Sequence, residues 1–187
     1  MNKCKLVRDS CALVMSQAEH VSVNQAKLCE FADTLAADFA KGYKYIEFDE
    51  YDCHYQQFKT EADIVEYIFV LDTLNFCFWP STVEFEYDNL AEGIKTMLLN
   101  HPSSLKPANL INIDRDFLKN NVFKGIEFPL LDERVRLLRE IGVRTVELFD
   151  GEFINILNAA KHSAVKLLDL LTSNFNNFQD IAIYKGQ

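Results

Sequence analysis

The chain has 187 residues, 49% of them apolar and 12% aromatic, with a formal charge of −9. That length suits one globular domain burying roughly 70% of its unfolded surface. The acidity opposes tight binding to the phosphate backbone of long nucleic acid, and six Gly with four Pro are too few for a many-turned all-β sandwich.

In chain order the pattern is mostly helical. The first twenty residues read as a helix of weak periodicity. Ser22 suits the N-cap of a helix to about residue 41, with Leu28, Phe31, Leu35 and Phe39 on one face and Gly42 as the stop. Residues 43–58 are aromatic, acidic and irregular, a loop with at most one short strand. Thr60-Glu-Ala-Asp63 resembles a capping box with Asp in place of Glu. The helix that follows is apolar nearly all round (Ile64, Val65, Tyr67, Ile68, Val70, Leu71, Leu74), which places it inside the fold.

Residues 82–87 alternate and predict a short edge strand, after which Asp88 caps a helix to about residue 100. A loop over 101–107 leads to short helical turns over 108–120. Leu131, Val135, Leu138, Val146 and Phe149 mark a long amphipathic helix, with Asp132/Arg136 and Glu140/Arg144 as pairs on its wet side and Gly151 at its end. Helices over 152–160 and 163–173 follow, and 181–184 reads as a strand without a partner. The expected fold is mainly α, a single helical domain over 1–187 with one or two short strands.

The Cys are Cys4, Cys11, Cys29, Cys53 and Cys77. Their odd number, without a Cys-x-x-Cys or a zinc-like Cys/His spacing, predicts reduced thiols, a cytoplasmic setting and no metal. The N-terminus has no secretory apolar core, and the apolar stretch 64–80 is too short to span a bilayer and carries Glu66 and Asp72. No Gly-rich phosphate loop, Gly-x-Ser-x-Gly or His-Glu-x-x-His motif occurs. Of four histidines, His54 is the one site candidate, and its plain alternative is a solvated loop residue.

The most informative stretch is Asp72-Thr-Leu-Asn-Phe-Cys-Phe-Trp-Pro80. A carboxylate among apolar neighbours is costly to leave unpaired, and rings offer faces for a planar heterocycle. Two readings stand: a buried Asp satisfied by backbone donors with rings filling the core, or a binding surface.

This stretch, with Glu86-Tyr-Asp-Asn-Leu-Ala91, Pro129-Leu-Leu-Asp-Glu-Arg-Val-Arg-Leu-Leu-Arg-Glu140 and Ser163-Ala-Val-Lys-Leu-Leu168, resembles the queuosine salvage proteins, which look like queuosine 5′-phosphate N-glycosylases/hydrolases. The resemblance runs in order from about residue 24 to 186. It implies a helical fold shaped like helix-hairpin-helix DNA glycosylases. The implied reaction is hydrolysis of an N-glycosidic bond without metal or organic cofactor, with a carboxylate stabilising or attacking an oxocarbenium ion. It implies queuosine 5′-phosphate and queuine as ligands, with no direct tRNA, DNA or membrane partner. Asp72, Asn75, Phe76, Phe78 and Trp79 are the implied substrate-binding residues, with His54 where the family carries a base-contacting His.

The chain departs from the family at its end. Family members continue past Tyr-x-Gly with a Lys-Arg-Ala-Gln motif and the Asp residues of the active site. The expectation is the first part of a larger single-domain enzyme, inactive or nearly so alone, with catalytic carboxylates lying beyond Gln187 and none assigned here. Two alternatives remain: a non-catalytic helical module that binds a nucleoside or a protein, and a different hydrolase using Asp72.

Overall fold

Side chains of Asn24, Thr60, Asp114 and Ser163 cap the starts of four helices, and the computed structural model describes residues 3–44, 46–81, 83–179 and 181–186. The chain divides into two compact units, Met1–Phe48 with Ile181–Gln187, and Asp49–Asp180.

The smaller unit holds α1 (Lys3–Ser16) and α2 (Gln25–Ala40). Asn24, rather than Ser22, caps α2: its side chain accepts from the Lys27 N–H at 3.1 Å. On the expected apolar face Leu28, Phe31 and Phe39 are 49%, 63% and 44% exposed, and Phe39 meets Tyr43 edge-on at 6.1 Å. In the same unit Lys185 Nζ reaches the Gln17 carbonyl and Glu19, each at 3.4 Å.

The larger unit is built from α3 (Glu61–Leu74), α4 (Tyr87–Asn100), α5 (Pro107–Leu110), α6 (Arg115–Asn121), α7 (Leu131–Leu148), α8 (Ile154–Ala160) and α9 (Ala164–Asn174). The Thr60 capping box forms as expected. Thr60 Oγ1 accepts from the Asp63 N–H at 3.2 Å and Asp63 Oδ2 accepts from the Thr60 N–H at 2.9 Å. Helix α7 packs on α3, α5 and α6, and α3 also meets α4 and α8. Tyr67, Val70, Leu71 and Leu74 of α3 are fully buried, as the all-round apolar pattern predicts.

Two glycines set how closely helices approach. A Cβ at Gly93 of α4 would lie 2.2 Å from the Val122 carbonyl, and one at Gly142 of α7 would lie 2.7 Å from the Pro107 carbonyl. Aromatic side chains fill the rest: Phe123 stacks on Phe128 at 4.6 Å, and Phe69 on Phe153 at 4.5 Å.

Four expectations are corrected. No strand forms among the described residues. Thr82 lies outside them; Val83–Phe85 are irregular, and Glu86 becomes the N-cap of α4 in place of Asp88, its N–H bonded to Asn89 Oδ1 at 2.8 Å. Residues 181–184 are irregular, with Ile181 and Ile183 exposed, because an extended segment without a neighbour gains no ladder. On α7, Arg136 pairs with Glu133 and Glu140, Arg144 with Glu147, and Asp132 with Arg115. Glu133 and Glu147 at spacing three, Glu140 at spacing four from Arg136, and Arg115 on α6 displaced the expected pairs. Among the described residues no helix is long and apolar enough to cross a membrane.

Candidate functional site

The C-terminal end of α3 carries Asp72 and Thr73, and the chain then turns through Asn75, Phe76 and Cys77, whose φ is +47°. What holds this turn is Arg134, fully buried on α7. Its guanidinium donates to the carbonyls of Leu74, Phe76 and Cys77, the last at 2.8 Å, and its Nε donates to the Pro129 carbonyl at 3.1 Å. Its guanidinium carbon lies 4.2 Å from the centroid of Phe76 and 4.9 Å from that of Phe128. Burial pulls its pKa down to about 10, and among the described residues no carboxylate pairs with it. Carbonyl oxygens and ring faces take the place of a counter-ion.

The turn forms one wall of a cleft of about 490 Å³ lined by Asp72, Thr73, Asn75, Phe76, Glu133, Arg136, Leu137 and residues 176–179. Asp72 is not the core carboxylate of the plainer reading. It is exposed at the cleft wall, and among the described residues no side chain or N–H bonds its carboxylate. Partial burial pushes its pKa up. Next to Asp72, Thr73 Oγ1 donates to the Phe69 carbonyl at 2.8 Å, so it must accept from Asn177 Nδ2 at 3.3 Å. This fixes the Asn177 amide and leaves its Oδ1 buried without a donor among the described residues. Arg136 is not free to hold an anion: Glu133 binds it at 2.7 Å and Glu140 at 2.9 Å, which holds its pKa well above normal. The wall therefore offers acceptors, amides and the Phe76 and Phe178 rings. It suits a neutral ligand bearing N–H or O–H donors better than a phosphate.

His54 does not line this cleft. It is buried, unlike a solvated loop His, with Nε2 at 2.8 Å from Tyr87 Oη and its ring edge-on to Tyr67 and Tyr87. Burial, then the charges of Cys53, Asp72 and Asp88, raise the Tyr87 pKa, so Asp72 and the His54–Tyr87 pair lie within electrostatic reach. Phe78 packs behind the wall, 6.3 Å from Phe85 and 6.2 Å from Phe128, while Trp79 is 74% exposed. Among the described residues no group of His, Cys, Asp and Glu is arranged to hold a metal ion.

Sequence reasoning missed Arg134, Thr73, Asn177 and Tyr87. A signal existed for Arg134, which falls between Leu131 and Leu138 on the apolar stripe of α7. A charged residue in a core register position needs internal partners.

A family model described as queuosine salvage protein matches residues 53–187. The chain is 38% identical to a Dictyostelium discoideum protein named queuosine 5′-phosphate N-glycosylase/hydrolase, over 100% of this chain and 60% of that protein. Proteins of the same name match from Sphaerobacter thermophilus, at 40% identity over 66% of this chain and 41% of the relative, and from Nematostella vectensis, at 30% over 96% and 55%. The chain thus spans between 41% and 60% of the length of these relatives.

Proposed function

We propose that this chain, which belongs to the queuosine salvage protein family, forms a base-binding wall of an N-glycosidase that hydrolyses queuosine 5′-phosphate and releases queuine. The observation that carries the reading is the chemistry of the cleft. Asp72, Asn75 and Phe76 share a wall in which the Arg136 guanidinium is occupied by two carboxylates. A guanine-like base presents adjacent N–H donors that a carboxylate accepts, and a flat face that stacks on a phenyl ring. The relatives' name supports the same substrate.

In this reading Asp72 accepts from the base, Asn75 supplies an amide, and Phe76 supplies the stacking face. Phe78 braces the wall from behind, Trp79 closes over its open edge, and His54, buried off the cleft, acts on the base only indirectly, through its bond to Tyr87. Hydrolysis breaks the bond between the ribose C1′ and the base nitrogen. The electron pair leaves with the base, which takes up a proton, and water adds to the sugar. No residue of this chain is assigned the catalytic carboxylate, and no metal or cofactor is invoked. The helices would follow the layout of helix-hairpin-helix glycosylases. The partner is a small nucleotide rather than tRNA, DNA or a membrane, in keeping with the charge of −9. The compartment would be the cytoplasm, in keeping with free thiols.

The test is calorimetric titration of the chain with queuine and with adenine, beside chromatographic assay of queuine release from queuosine 5′-phosphate. Saturable queuine binding without adenine binding is expected. Equal or absent binding of both bases would sink the reading.

A further inference from the structure

We infer that Arg134 is a positioning and selectivity residue for the cleft, setting the Phe76 ring to favour electron-rich planar heterocycles; this rests on the base-binding reading above. A buried Arg in a helical core ordinarily meets a carboxylate. Here the guanidinium instead holds three carbonyls of one turn, those of Leu74, Phe76 and Cys77. Those three bonds fix the backbone on both sides of the Phe76 side chain. The guanidinium carbon then lies 4.2 Å from the Phe76 centroid, while Phe76 is among the residues that line the cleft.

The consequence is electrostatic. A phenyl ring has a negative face and a positive edge. A cation on one face draws the π cloud toward itself, and the ring becomes a better stacking acceptor for an electron-rich partner. The effect is strong in a dry setting, and Arg134 has no exposed surface. Lysine cannot replace it. An ammonium is a compact point donor that lacks the planar fork with which the guanidinium serves three carbonyls at once.

The experiment titrates the full chain with 7-deazaguanine and guanine, which share a hydrogen-bonding edge but differ in electron density. The wild type should prefer 7-deazaguanine. Arg134→Lys should weaken 7-deazaguanine by about tenfold, the order of a desolvated cation–π contact, and bring the affinity ratio of the two bases close to one. Equal weakening of both bases, or none, would overturn the inference and leave the base-binding reading standing. If the wild type binds neither base, both fall together. Should Arg134→Lys fail to fold, Phe76→Leu decides the matter, since it keeps the carbonyl bonds and removes the ring. Loss of the preference in that variant supports the assignment, and an unchanged preference overturns it.

Discussion

His54 Nε2 lies 2.8 Å from the Tyr87 hydroxyl oxygen and joins the loop before α3 to the first turn of α4. A half-buried phenol thereby holds a buried imidazole whose neighbours are otherwise mainly rings. Tyr87→Phe removes this bond and keeps the ring. It should lower unfolding free energy by about 1 kcal/mol, the usual worth of such a bond. Urea denaturation of the variant against wild type measures it, and a difference near zero would show that the pair adds nothing.

Asp72→Asn separates binding from folding. Partial burial raises the Asp72 pKa, so ionisation costs the folded state. An acid whose folded pKa exceeds its unfolded one loses stability as pH rises through that window, above the usual carboxylate range. The amide escapes that cost. The variant should therefore be as stable as wild type, or more so, at neutral pH, while its queuine affinity falls. Thermal melts and calorimetry at pH near 7 check both parts; a less stable variant would return Asp72 to a structural role.

The α3 capping box has the opposite pH sign. Burial tends to raise the Asp63 pKa, but hydrogen bonds from Thr60 and from the Lys59 and Thr60 N–H groups outweigh it and hold the carboxyl below normal. A depressed folded pKa gives stability that is full above the ordinary Asp value, about 4, and is lost on further acidification through the folded pKa. Asp63→Asn should flatten the acid limb of stability against pH. Thr60→Ala should cost about 1 kcal/mol across the neutral range. Denaturant midpoints from pH about 2 to 7 measure both effects.

Gly93→Ala should be among the most damaging small substitutions in this chain. Its Cβ would lie 2.2 Å from the Val122 carbonyl oxygen, and backbone cannot swing aside as a side chain can. Overpacking of this kind costs roughly 1–3 kcal/mol or more. Gly142→Ala, at 2.7 Å from the Pro107 carbonyl, should follow in order. Ranked urea midpoints test the order, and a neutral Gly93→Ala would show that α4 and the Val122 segment can part freely.

The helices of this protein were legible in its sequence, because spacing and capping are local. Thr60 and Asp63 sit three residues apart and close their box without outside help. The apolar register of α3 required burial on most sides, and it received it. The ordered motifs, which carry the family resemblance, were also legible. Three things awaited the tertiary structure. The extended reading of 181–184 depended on a neighbouring strand that does not form among the described residues. The partners of Arg136 depended on which of several nearby carboxylates its rotamer met. Above all, the candidate site depended on a contact between residues about sixty positions apart: Arg134 holds the carbonyls of Leu74, Phe76 and Cys77. Side-chain pattern reports which residues avoid water. It does not report which carbonyl a buried guanidinium will find, because that choice is made only when α7 packs against the end of α3.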